Sequence, residues 1–257
     1  MKKYKAYAKV NIFLKITGKR GDYHEIISRF VRVNSLYDEL YFEKKEHNDF
    51  EIRGDFSCSV EQNTIYKAYQ ALLKATNSQK LQELMQTYAI CVTKNIPAFA
   101  GLGGGSSDAA TYLHMCNEIL QLKLTPKELA DIGLKVGADV PFFIYNYQSA
   151  NVSGIGEIVE PFEEAPLHII TYTPKIEIST PKVYQTYSQY FYNPITQQEI
   201  QKLKTTPSKE VLKQYSLYQA NDLLQPALKV YPQLKNYIKD GYYFSGSGSS
   251  FFTIKEK

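Results

Sequence analysis

A mixed α+β fold, in layers, is expected for this chain on three grounds. Side chains alternate strictly in some stretches, which marks strands, and recur every three to four residues in others, which marks helices. The two kinds of stretch are mixed without a regular strand-helix-strand alternation, which sets α+β layers above a doubly wound parallel sheet. A length of 257 residues suits one large domain or two modest ones.

The first strand is expected over residues 4–16. Tyr4, Ala6, Ala8, Val10, Ile12, Leu14 and Ile16 point one way, and Lys5, Tyr7, Lys9, Asn11, Phe13 and Lys15 the other. Lys9 and Asn11 therefore share a face, about 7 Å apart along the strand. A turn at GKRGD leads to a second strand over 30–42. Residues 63–75 read as a helix through Ile65, Ala68, Tyr69 and Leu72, and residues 88–94 as a strand. A helix follows over 108–122, with Ala109, Leu113, Cys116 and Leu120 on one stripe. Thr125, Pro126 and Glu128 open the next with a capping box, and Gly137 ends it. The run ADVPFFIY reads as the entry to a strand. NYQSANVSGIGE, residues 146–157, is polar and glycine-bearing, either a hairpin or a crossing between domains. Beyond it are expected a strand over 167–172, helices after Thr180-Pro181, over 208–218 and over 221–239, and a closing strand pair in YYFSGSGSSFFTIK.

Composition narrows the function classes. Hydrophobic residues make up 44% and charged residues 22%, an ordinary globular balance. The net charge of +4 suits an anionic small molecule or a nucleic acid without selecting either. Cys58, Cys91 and Cys116 are scattered, with no paired spacing for zinc or a disulfide framework, so a reducing, cytoplasmic interior is expected. The opening MKKYKAYAKVNIFLKI is broken by Lys9, Asn11 and Lys15 and is not a signal peptide, and no run reaches membrane-spanning length.

The chemistry concentrates in PAFAGLGGGSSDAA, residues 97–110. Glycines admit positive φ and let another body approach the backbone. The helix start that follows offers unpaired N–H groups and a partial positive charge. A strand, a glycine loop and a capped helix in that order make an anion site, most often for phosphate. Ser106 and Ser107 can cap the helix and offer hydroxyls to a phosphate or its magnesium. The phosphate-binding pattern GxxxxGK[ST] is absent, and GxGxxG fails at Ser106. A second cluster, FSGSGSSFF, reads equally as a hairpin turn; its meaning depends on whether it comes near the first. Spacing alone leaves Lys9 as a solvated surface lysine and Asp139 as a local turn or cap residue.

The runs AYAKVNIFLKITGKRGDYHEI, PAFAGLGGGSSDAA, GADVPFF, NDLLQPA and FSGSGSSFF, in this order, resemble the GHMP small-molecule kinases over nearly the whole chain. The resemblance implies an N-terminal, ATP-binding domain like ribosomal protein S5 domain 2 over 1–150. It implies a ferredoxin-like C-terminal domain over 151–257, with the site between them. It implies ATP with Mg2+ and transfer of the γ-phosphoryl group to an alcohol. AKVN, the GKR…YHE run and NSLYD point within the family to members whose acceptor is the 2-hydroxyl of 4-diphosphocytidyl-2-C-methyl-D-erythritol. On this likeness Lys9 and Asp139 are catalytic. Pro97, Ala98, Phe99, Ala100, Gly101, Leu102, Gly103, Gly104, Gly105, Ser106 and Ser107 wrap the ATP phosphates. Asn11 binds substrate, Tyr23 and His24 recognise cytidine, and Tyr184 stacks on the other face of the base. The family's usual GxRxDGYHE is here GKRGDYHE, so the loop is one residue shorter or its glycine has moved to Gly21. No protein ligand of the metal beyond the two serines is indicated, and neither is an oligomeric state. Other GHMP kinases, acting on homoserine, mevalonate or a sugar, are the alternative within the class. A nucleic-acid-binding module is the alternative outside it, disfavoured because Lys and Arg are spread through the chain.

Overall fold

The computed structural model describes residues 2–255. Contacts divide the chain into two compact units, neither continuous in sequence. The first is built from the chain up to Ala8 together with Leu36–Ile96 and Gly104–Asn146. The second comprises Lys9–Ser35, Pro97–Gly103 and the chain from Tyr147 onward. These units differ from a single cut at 150/151, because residues 9–35 and 97–103 fold with the C-terminal half. The cause is strand length. β1 (Tyr4–Arg20) and β2 (Tyr23–Lys44) run 17 and 22 residues, far beyond an average strand, and each passes from one unit into the other. They pair across the turn at Gly21 and Asp22, where Gly21 takes φ +58°.

In the first unit, Glu39 to Lys44 of β2 pair antiparallel with β4 (Tyr88–Thr93). The short β3 (Ile52–Arg53) adds parallel to β4. Helices α1 (Thr64–Thr76), α2 (Gln79–Thr87), α3 (Gly104–Ile119), α4 (Pro126–Leu134) and α5 (Val140–Tyr145) complete the unit. Its core joins Leu40 and Ile90 from the strands to Ile65, Leu72, Leu113, Leu129 and Ile144 from the helices. Asn63 caps α1 through the Ile65 N–H, and Thr125 with Glu128 forms the expected capping box on α4.

Two expectations change here. ADVPFFIY is a helix, not a strand: Pro141 sits in the first turn, where its missing N–H costs nothing, and a proline is excluded from a central strand. Val140 and Ile144 pack against α4, with Val140 pressed on Gly133. Helix α3 begins at Gly104, four residues ahead of its expected start. Ser106 and Ser107 are therefore within its first turn rather than at its cap. Helix α2 lay outside the sequence reading altogether.

In the second unit, Ile26 to Val31 of β2 pair with β5 (Ser149–Gly154), which turns back into β6 (Ile158–Pro161). Both readings of residues 146–157 hold: the chain passes from the first unit to the second between Asn146 and Tyr147, and β5 turns back into β6 as a hairpin. A three-stranded antiparallel sheet is made of β7 (Ile169–Tyr172), β8 (Tyr243–Phe244) and β9 (Phe251–Ile254), in the order β7-β9-β8. Helices α6 (Thr180–Tyr190), α7 (Gln197–Thr205), α8 (Ser208–Gln214), α9 (Leu217–Ala220) and α10 (Leu224–Val230) accompany it. The single helix expected over 221–239 breaks at Pro232, which opens a separate 3-10 turn. Leu14 and Ile16 of β1 share a core with Val183, Tyr187, Leu224 and Phe251. Arg29 of β2, fully buried, donates to the Leu203, Lys204 and Thr206 carbonyls at the end of α7 and stacks on Phe162. No helix among the described residues is long and apolar enough to cross a membrane.

Candidate active site

Lys9 is not a solvated lysine. Both faces of β1 are covered between Ala8 and Leu14, and Lys9 is 3% exposed. A buried ammonium needs partners to offset its lost hydration. Its Nζ donates to Asn11 Oδ1 at 2.7 Å and lies 4.5 Å from the centre of the Phe30 ring. Asn11 Nδ2 donates to Ser28 Oγ at 2.9 Å, and Ser28 Oγ donates to the Phe13 carbonyl at 2.5 Å. The relay Lys9–Asn11–Ser28 thus orients one amine and one amide on a rigid strand pair. Ser28 was not singled out from the sequence. Its signal was a hydroxyl set among Ile26, Ile27, Phe30 and Val31, where a buried polar group must be hydrogen-bonded.

The glycine loop is fastened to this strand. The Lys9 N–H donates to the Leu102 carbonyl at 2.9 Å. Ala100 and Leu102 are buried anchors, while Phe99, Gly101 and Gly103 take φ +51°, +72° and +73°. The second glycine cluster meets the first. Ser250 N–H donates to the Ala100 carbonyl at 3.1 Å, and Ser245 Oγ to the Gly101 carbonyl at 3.0 Å. A Cβ on Gly101 would stand 2.2 Å from the Ser245 carbonyl oxygen, so only glycine permits the two loops to touch.

The loop continues into the first unit at Gly104, where α3 starts. Gly104 to Ser107 are its first turn, whose N–H groups lack helical acceptors. Thr64 Oγ1 donates to the Gly105 carbonyl at 2.6 Å. Gly137 comes close to the same turn: a Cβ there would lie 3.6 Å from Ser106 Oγ. Two residues on, Asp139 occupies the N-cap position of α5 and makes no side-chain capping bond. Of the two local readings of Asp139, the side-chain cap is not made, while the residue does lie in the turn that precedes α5.

A buried ion cluster holds the start of α3. Lys94 bonds Asp38, and also Asp108 Oδ2 at 2.7 Å. Asp38 accepts the N–H groups of Asn95 and Ile96. Burial works against the Lys94 charge, but the two carboxylates more than offset it. Burial pushes the Asp108 carboxyl up to about 7, Lys94 opposing and Asp38 reinforcing, and its Oδ1 has no partner. The unfolded chain ionises Asp108 near the ordinary carboxyl value, the native chain only near 7. The native state thus binds the extra proton between, and stability falls as pH rises across that window. The Tm advantage of Asp108→Asn over the parent should widen from about pH 5 to about pH 7.5. A pH-independent difference would count against this account.

His24 and Tyr184 come together in the second unit, their rings 5.0 Å apart and tilted 35°. His24 Nε2 lies 2.5 Å from Ser188 Oγ. Burial, helped by Lys19, lowers the His24 pKa, so the ring is neutral near pH 7 with one donor and one acceptor. Tyr23 is 62% exposed at the turn. Pro97, Ala98 and Phe99 are exposed as well.

Residues 63–147 match the family model described as GHMP kinases N terminal domain. Over 261 residues the chain is 63% identical to the 4-diphosphocytidyl-2-C-methyl-D-erythritol kinase of Sulfurimonas denitrificans, covering 100% of this chain and 98% of the relative. It is 41% identical over 255 residues to the same-named enzyme of Campylobacter jejuni subsp. jejuni serotype O:6, covering 97% and 99%. Among solved structures, a 4-(cytidine 5'-diphospho)-2C-methyl-D-erythritol kinase superimposes with TM-score 0.75 at 28% identity, over 99% of this chain and 90% of that one. The Methanococcus jannaschii mevalonate kinase, at 13% identity and TM-score 0.60, shares the fold over 99% of this chain and 90% of its own. With full-length identity at this level, the chain belongs to the 4-diphosphocytidyl-2-C-methyl-D-erythritol kinases, within the GHMP kinase superfamily.

Proposed function

We propose that this chain transfers the γ-phosphoryl group of ATP to the 2-hydroxyl of 4-diphosphocytidyl-2-C-methyl-D-erythritol, in the non-mevalonate route to isoprenoid precursors and in the cytoplasm. One observation carries the reading: the strand bearing Lys9 and Asn11 is hydrogen-bonded through its own backbone to the glycine loop at Leu102. A buried ammonium and an anion-binding loop are thereby held together, as phosphoryl transfer demands of its positioning groups.

Residues 97–107 wrap the triphosphate, their amides facing its oxygens. Asp139 accepts the proton of the attacking hydroxyl as the new oxygen–phosphorus bond forms and the bridging bond to ADP breaks. Lys9 steadies the attacking oxygen, while Asn11 orients the acceptor. Bound magnesium would neutralise charge on the phosphates. Among the described residues no three His, Cys, Asp or Glu side chains cluster to hold a metal. The ion would be carried mainly on phosphate oxygens and water, with the Ser106 or Ser107 hydroxyl in the first turn of α3 as its protein ligand, and of the two Ser107 is buried at 1% exposure. Tyr23 and Tyr184 stack on cytosine, and neutral His24 reads its edge.

A coupled assay of ADP release across candidate acceptors tests this. Turnover is expected with the cytidyl-diphosphate compound and not with homoserine, mevalonate or a sugar. Tyr184→Ala and Tyr23→Ala should each raise the KM for the cytidyl substrate by on the order of 10-fold or more, since base stacking contributes about 1–3 kcal/mol. Turnover confined to another acceptor, or a KM indifferent to both tyrosines, would overturn the substrate.

A further inference from the structure

The run Asn221-Asp222-Leu223 has no part in the chemistry above, yet its polar groups are fully engaged. Asn221 is 1% exposed. Its Oδ1 accepts the Leu223 N–H at 2.9 Å, and its Nδ2 donates to the carbonyls of Phe244 at 3.0 Å and Gly246 at 2.9 Å. The same segment lies along β1. Leu14 and Asn221 form a parallel bridge, and the Asp222 N–H donates to the Leu14 carbonyl at 2.9 Å. The Asp222 carboxylate takes the Ile16 N–H at 2.8 Å and the Lys15 ammonium at 2.5 Å. One end of this clamp is therefore the strand of Lys9 and Asn11. The other is the second glycine loop, residues 245–250.

That loop reaches the site twice. Gly246, at φ +57°, sits so close that a Cβ would stand 3.1 Å from the Gly101 carbonyl oxygen and 3.4 Å from Asn11 Oδ1. Ser245 Oγ bonds the Gly101 carbonyl. A shift of the second loop must therefore move the first loop at Gly101, the Asn11 side chain, or both. The structure assigns Asn221 as a positioning residue for phosphoryl transfer: its amide fixes the second glycine loop relative to β1, and this loop fixes Gly101 beside Asn11. The chemistry of the position requires an amide. Two carbonyls converge on one nitrogen, so two N–H donors are needed, and a carboxylate would set oxygen against oxygen.

The inference rests on the reading of residues 97–107 as the nucleotide loop, and the experiment separates the two. ATP affinity is measured by calorimetry with ATP alone, and kcat, both KM values and Tm are measured for the parent, Asn221→Asp and Ser245→Ala. Asn221→Asp is expected to raise the KM for ATP and lower kcat/KM by about 100-fold near pH 8, the scale of a misplaced reactant. Its activity relative to the parent should recover as pH falls, because a protonated carboxyl returns one of the two donors. Ser245→Ala, which removes only the bond to Gly101, should weaken ATP several-fold with a nearly unchanged Tm. A merely structural Asn221 would lower Tm and leave kcat, KM and the pH ratio of the folded protein untouched, and that result overturns the assignment. Where Asn221→Asp does not fold, Ser245→Ala decides: parent-like ATP affinity and kinetics overturn the assignment. A parent protein that neither binds nor turns over ATP overturns the nucleotide reading first, and this inference with it.

Discussion

Asp139→Asn should lower kcat by about 100- to 10,000-fold, the range for loss of a positioned general base, while ATP binds with nearly its parental affinity. The substitution keeps the volume and removes the charge. Asp139 makes no side-chain capping bond to α5, so the substitution removes no helix cap. Lys9→Ala should cost a similar factor for a different reason. It deletes an ammonium that is 3% exposed and leaves Asn11 Oδ1 without its donor. Its Tm should fall as well, because a buried bond is lost. If the two side chains serve one proton transfer, the double variant should be scarcely slower than the worse single one, because groups acting as a unit are not additive. Near-parental turnover in Asp139→Asn removes the general-base role. Strict additivity in the double variant removes the partnership.

The parts of this protein that were legible in its sequence are those whose cause is local. The β1 alternation, the Asn63 cap, the Thr125–Glu128 capping box and the glycine loop each follow from backbone chemistry within a few residues. For the glycine missing before Tyr23 the sequence left two readings, and the structure has Gly21 taking the positive φ of the turn. VPFFIY was misread because a short apolar run has no period, and only Pro141 spoke for a helix. What stayed hidden depends on distant neighbours. The burial of Lys9 needs Phe30 and Asn11 on a paired strand face. Ser28 matters only because Asn11 lies opposite, and Asn221 only because Phe244 and Gly246 return to it. The meeting of the two glycine clusters spans 144 residues of sequence between Gly101 and Ser245, and no spacing rule carries that far.

That meeting makes Gly101 the most sensitive small residue of the loop. Gly101→Ala should raise the dissociation constant for ATP by on the order of 100-fold or more and lower Tm by several degrees. Two costs combine. At φ +72° an alanine pays about 1–2 kcal/mol of left-handed strain. Its Cβ would also stand 2.2 Å from the Ser245 carbonyl oxygen and 3.0 Å from the Gly248 nitrogen. Both are backbone atoms, so no side chain can swing aside, and the loops must separate. Gly241→Ala isolates the first cost: its φ is +74° and nothing lies within 4 Å of the added carbon. It should lose stability to strain alone and bind ATP as the parent does. The difference between the two variants then measures what loop contact contributes to nucleotide binding. If Gly101→Ala also binds ATP like the parent, contact between the clusters shapes the fold and not the phosphate site. The Gly101–Ser245 junction would then leave the functional account, and the case would rest on Lys9, Asn11 and Asp139.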